Sequence, residues 1–164
     1  MEYLINNLIG LINSALSPEI IVFIISLIPV LELRGGMIAA SILGLNWKVA
    51  MFICILGNII PIPFILLFIK KIFWLLRNTK FVKFIDKIEK RAIEKSEKIF
   101  KYRNLGLYLF VAIPLPGTGA WTGALIAALF DIRIRNAFLS IVCGIFTAAI
   151  IMAILSYGVL GAFI

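Results

Sequence analysis

Residues 28–37 read IPVLELRGGM, from Ile28 to Met37, and they lie inside an oily sequence. SPEIIVFIISL precedes them and IAASILGL follows, so a carboxylate and a guanidinium stand two residues apart among hydrocarbon side chains. A charge at bilayer depth costs roughly 2.5–3.5 kcal/mol on insertion scales, so Glu32 and Arg34 need partners or a wet cavity. Pro29 on one side and Gly35-Gly36 on the other carry helix-breaking chemistry. A helix from Pro18 to Leu31 would reach about 21 Å, short of a hydrocarbon core about 30 Å thick. Two half-length helices joined by a break, about 18–31 and 37–45, therefore read as a re-entrant hairpin. A single kinked span from 19 to 45 is the alternative.

Composition agrees with a membrane setting. The chain has 164 residues, 63% of them hydrophobic, with a mean hydropathy of +1.12, well above the roughly half-apolar make-up of soluble domains. Its length fits one transmembrane domain: a first repeat over about 17–76, a basic segment over about 77–104 and a second repeat over about 105–164. Residues 1–16 carry Asn6, Asn7, Asn13 and Ser14, and either lie at the interface or form an imperfect outer span. With no basic n-region or cleavage pattern, they read as mature sequence and not as a signal peptide.

The net charge of +8 is concentrated: Lys70 to Arg103 hold twelve Lys/Arg and four Asp/Glu. Beside membrane segments, such a run marks the cytoplasmic side. It favours contact with anionic lipid, and with no accompanying motif it does not indicate nucleic acid. Phe81, Ile85, Ile88, Ala92 and Ile99 make a helical apolar stripe, so residues 77–104 are expected to form a cytoplasmic amphipathic helix. Cys54 and Cys143 lie in apolar runs and read as packing residues. Histidine is absent and no metal-ligand spacing occurs, so neither metal nor cofactor is expected. Nothing resembles a nucleophile–base constellation, so an enzyme is not expected.

The chain also echoes itself. IPVLELRGGMIAASILGLN in the first half matches IPLPGTGAWTGALIAALFD in the second, aligning Pro29 with Pro114 and Asn46 with Asp131. A long apolar helix follows each copy, at 49–69 (distorted by Pro61 and Pro63) and at about 136–158. The charge distribution orients 49–69 from outside to cytoplasm. The first hairpin then opens outward and the second inward, an inverted repeat of hairpin plus span in an all-α membrane protein. Transporters with this organisation join broken helices near the midplane.

The two tips would enclose one polar pocket. In an extended break, residues two apart point the same way, so Glu32 and Arg34 would share it. Arg34 suits phosphate or carboxylate geometry. Glu32 is the natural proton carrier, because a low-dielectric site favours the neutral carboxyl. Gly35 and Gly36 would open a half-helix whose N–H groups favour an anion. Pro114, Pro116, Gly117, Thr118, Gly119 and Thr122 offer the same arrangement from the other side. Asn58 either lines the cavity or bonds between helices, and Trp121 either covers the pocket or packs in the core. The plain structural reading is that Glu32 and Arg34 merely neutralise each other and hold the fold together.

PVLELRGGM followed by PLPGTGAWTGALIA resembles the small multidrug export protein family over nearly the whole chain. That family is similar to the wider DedA membrane-protein superfamily, whose members are implicated in moving lipids, including polyprenyl-phosphate carriers in bacteria. The resemblance implies facing re-entrant hairpins, an intramembrane acid and arginine, and transport. Glu32 and Arg34 carry over from ELRGG, and Pro114, Pro116, Gly117, Thr118 and Gly119 from the second motif. The chain departs from DedA proteins in being shorter and in keeping both charges on the first hairpin.

The expectation is a multi-pass protein of a prokaryotic cytoplasmic membrane that moves an anionic amphiphile, such as a polyprenyl phosphate or phospholipid, by proton- or ion-coupled alternating access. Export of cationic drugs is the first alternative, and a non-transporting scaffold working through residues 77–104 is the second. Membrane lipids are the expected partners, and so few spans suggest a homodimer.

Overall fold

A computed structural model describes residues 17–77, 82–83, 86–88, 90, 103–115 and 117–159. The readings made for residues 1–16, for most of 77–104 and for Pro116 lie outside these. All regular structure among the described residues is helical.

Helix α1 (Pro18–Leu27) begins with Ser17 in an extended conformation and Pro18 at its first position, where a missing N–H is harmless. It stops at Ile28, which is extended (φ −73°, ψ 129°) because the following Pro29 disfavours helical geometry in the residue before it. Helix α2 (Glu32–Ile42) then folds back along α1. A methyl placed on Gly36 would run into the Ser26 hydroxyl, although ten residues of straight helix would separate them by about 15 Å. Helix α2 closes on Gly44 at φ +71°, with Leu45 N–H bonded to the Ala40 carbonyl (3.0 Å) and Gly44 N–H to that of Ser41 (3.2 Å). This is a Schellman end, which uses the left-handed residue to satisfy the last carbonyls.

Asn46 caps α3 (Trp47–Ile59), its side chain accepting from Lys48 N–H at 2.9 Å. Helix α4 (Pro61–Arg77) follows. Pro61 cannot donate a helical bond, but Ile60 keeps helical dihedrals (φ −52°, ψ −46°), and Trp47–Ile72 is one helical run of 26 residues long and apolar enough to cross a membrane. The second such run is Ile134–Gly158.

The second half follows the same order. Helix α5 (Arg103–Ala112) leads through a break to α6 (Ala120–Leu129), and Asp131 at φ +55° makes a Schellman turn like that of Gly44. Helix α7 (Ile134–Ala153) then runs into a π-helical turn, Ile154–Val159. By its turns, the structural equivalent of Gly44 is Asp131 and that of Asn46 is Arg133. The spacing is thus 87 residues there, not the 85 of the sequence match, because the second break is longer than the first.

Small residues set the packing, as in other membrane helix bundles. Gly36 and Gly57 lie against Ser26, and Gly36 also against Cys54, joining α1, α2 and α3. A methyl on Gly144 would approach Val111 Cβ to 2.7 Å, and one on Gly123 would approach Val111 Cγ2 to 2.9 Å. Tyr108 and Thr147 hydroxyls add a 3.0 Å bond between α5 and α7. Helix α4 packs on α6, while α2, α3 and α6 all contact α7. Leu33, Met37, Cys54, Ile141 and Ile145 fill the centre.

Candidate functional site

The two breaks meet. Residues 28–31 interrupt the first pair of short helices and residues 113–119 the second, and Glu32 and Arg34 bridge them. Glu32 is 5% exposed. Its two carboxylate oxygens accept one backbone N–H each, from Ala120 and from Trp121, both at 3.1 Å. These N–H groups open α6, where donors lack helical partners and the dipole favours a negative charge. An internal carboxylate therefore occupies the anion site of that helix.

Arg34 takes the opposite polarity. One terminal nitrogen donates to the carbonyls of Leu115 and Thr118, both at 2.6 Å. The other donates to the Ile113 carbonyl at 3.2 Å and to the Thr118 hydroxyl oxygen at 3.0 Å. The planar fork collects the acceptors left where α5 ends and the chain loops. Glu32 and Arg34 do not pair with each other; among the described residues, the salt bridge found is Lys70–Asp131 at the surface, 2.5 Å long. Of the structural reading, a direct ion pair between the two is not seen, whereas the part that has them hold the fold together is: each charge bonds the opposite break.

Two local features make this possible. Glu32 starts α2 at φ +50°, a left-handed conformation uncommon for residues other than glycine. The charges thus lie on the first turn of a helix and not on an extended strand, and Gly35 and Gly36 lie within α2 instead of opening it. Gly119 is the second feature. At φ +146° and with its missing side chain facing Glu32, it leaves the space that the carboxylate fills; a Cβ there would overlap the carboxylate oxygens.

A cavity of about 710 Å³ lies beside these contacts, within the usual range for small-molecule sites. Glu32, Arg34, Gly35, Pro114, Gly117, Thr118 and Thr122 border it, together with Leu31, Ile38, Leu125 and Met152. Gly36 faces Ser26 and Cys54 instead. Asn58 is buried on α3 outside the cavity wall, and its side-chain oxygen has no hydrogen-bond partner. Trp121 is partly buried against the core, and its indole nitrogen also lacks a partner. Among the described residues, no three His, Cys, Asp or Glu side chains gather as a metal site would require. The chemistry available is charge, hydroxyl and backbone recognition above an apolar wall.

Sequence reasoning named Thr118, whose hydroxyl is one of Arg34's acceptors, but not the other partners of the two charges, which are main-chain atoms of residues 113, 115, 118, 120 and 121. No curated protein and no solved structure matches the chain. Residues 32–151 match the family model described as "Putative small multi-drug export protein", a stretch that begins at Glu32, just after the first break, and contains the second, and the chain belongs to that family of membrane proteins.

Proposed function

We propose that the chain is a transporter of the cell membrane whose substrate enters the cavity between the two breaks, with Glu32 and Arg34 as the clasp that holds those breaks together. One observation carries the reading: two buried or half-buried charges bind the opposite backbone break, and not each other, at the edge of a cavity. In this reading the short helix pairs are re-entrant hairpins entering from opposite faces, and residues 77–104 lie on the cytoplasmic side with the basic charge. Substrate passes when the clasp opens first to one side and then to the other.

The substrate is an anionic amphiphile, such as a polyprenyl phosphate or phospholipid. Every acceptor now held by Arg34 is neutral. A phosphate or carboxylate makes a stronger, charge-assisted bond and can displace them, with Thr118 and Thr122 supplying hydroxyls. Glu32 couples the cycle to protons. A protonated carboxyl retains one good acceptor oxygen in place of two, so its hold on Ala120 and Trp121 weakens when a proton is loaded. Two copies of the chain would together close the lipid-facing sides.

Purified protein in vesicles is expected to accelerate transfer of a phosphate-headed lipid between leaflets, and Arg34→Ala to abolish it. A mutant that transports at the normal rate removes the assignment. One observation bears on export of cationic compounds: Glu32 bonds two backbone N–H groups and makes no salt bridge with Arg34. Drug tolerance conferred equally by wild type and Arg34→Gln would decide for that reading.

A further inference from the structure

A second cavity of about 320 Å³ adjoins the first. Pro29, Ile88, Thr122 and Leu125 border both, so no more than one layer of side chains separates them. Ile65 and Ile69 of α4 and Trp121 of α6 border the smaller one alone. Its walls are almost wholly apolar, Thr122 being polar, and behind them the indole nitrogen of Trp121 is buried without a hydrogen-bond partner among the described residues. An unmet buried donor is unfavourable, and a ligand oxygen would relieve it.

We propose that this side chamber, between α4 and α6, holds the hydrocarbon tail of a single-chain amphiphile whose head lies at Arg34, with the Trp121 indole donating to the acyl carbonyl at the head–tail junction. The assignment rests on the tip cavity being the substrate site. Trp121 adjoins both parts of such a ligand: its backbone N–H binds Glu32 at the tip, while its ring borders the chamber. Size selects one chain. At about 30 Å³ for each water-sized group, the chamber takes about ten methylenes, enough for one acyl chain and too few for two.

The test is displacement of radiolabelled monolauroyl glycerol phosphate from the full chain in zwitterionic nanodiscs, with empty discs subtracted. The unlabelled competitors are glycerol phosphate, dodecyl phosphate and dilauroyl glycerol phosphate. Burial of several methylenes predicts that the monolauroyl compound binds about a hundredfold more tightly than glycerol phosphate, and that the two-chain compound binds less tightly than the one-chain. Ile69→Phe, at a partly buried position, is expected to weaken the monolauroyl compound about tenfold by overfilling the chamber while leaving glycerol phosphate unchanged, which also reports a folded tip site. Trp121→Phe is expected to weaken the monolauroyl ester by up to about tenfold, as loss of one hydrogen bond predicts, and to spare dodecyl phosphate, which has no acyl carbonyl. If Ile69→Phe and Ile65→Phe both bind the monolauroyl compound as wild type does, while Arg34→Gln abolishes binding, the tail lies elsewhere and the tip site stands. Equal affinity for one and two chains overturns the single-chain assignment. If Arg34→Gln binds everything normally, the head is not at the tip and both readings fall.

Discussion

Replacing Gly119 by alanine tests the clasp through a residue that makes no side-chain contact of its own. At φ 146° and ψ −176° the position lies in a region that is essentially glycine-only, where another residue bears about 1–3 kcal/mol of strain. The added methyl would also claim the volume of the Glu32 carboxylate. Displacing Glu32 breaks two bonds to backbone N–H groups, each about 1.5–3 kcal/mol when one partner is charged. The neighbouring cavity returns part of this by solvating the freed carboxylate. The net expectation is about 3–5 kcal/mol of destabilisation, at the upper end for single substitutions. Unfolding in mild detergent would read it, but the decisive measurement is a double-mutant cycle with Glu32→Ala. Without the carboxylate, the three atoms nearest to the methyl are gone and the strain remains, so a coupling of about 2 kcal/mol or more is expected. Additive losses within about 0.5 kcal/mol would refute the claim that Gly119 exists to seat Glu32.

Three further outcomes follow from the contacts. Arg34→Lys keeps the charge but cannot reach four acceptors on two sides, so transport should fall nearly as far as in Arg34→Gln, and the melting temperature should drop in both. Gly36→Ala should destabilise by about 1–3 kcal/mol through overpacking against Ser26 and Cys54, and Ser26→Gly should recover much of that loss in the same unfolding assay. Asp131→Asn removes the surface pair with Lys70, whose side chains are 85% and 48% exposed. It should shift stability by less than about 1 kcal/mol, and a larger change in the unfolding midpoint would mean that the pair fastens α4 to the α6–α7 turn.

The breaks were legible because proline and paired charges stand out in an apolar sequence. PVLELRGGM and PLPGTGAWTG marked the two segments that meet, and their residues 32, 34, 117 and 118 border one cavity. The role of Gly35 and Gly36 was not legible. A glycine that breaks a helix and one that admits a neighbouring helix look alike in sequence, and only the position of Ser26 and Cys54 separates them. The start of α2 was missed for a related reason: a glutamate holds the left-handed position that glycine usually takes, with its side-chain bonds compensating for the conformation. Asn58 looked like a cavity residue because it is polar in a span, but helix rotation, which hydropathy does not record, turns it away from the cavity wall. Apart from the Thr118 hydroxyl, the partners in the clasp could not be read, since any residue offers the same amide and carbonyl groups.

The bonds from Glu32 and Arg34 reach 79 to 89 residues along the chain, which has a bearing on biogenesis. When the first helix pair leaves the ribosome, neither charge has its eventual partner, because residues 113–121 have not been synthesised. The early half must enter the membrane with its acid and base hydrated or turned toward each other, and exchange those temporary arrangements once the later half arrives. A truncated product ending before residue 113 should therefore be retained by quality control even though its long span is intact.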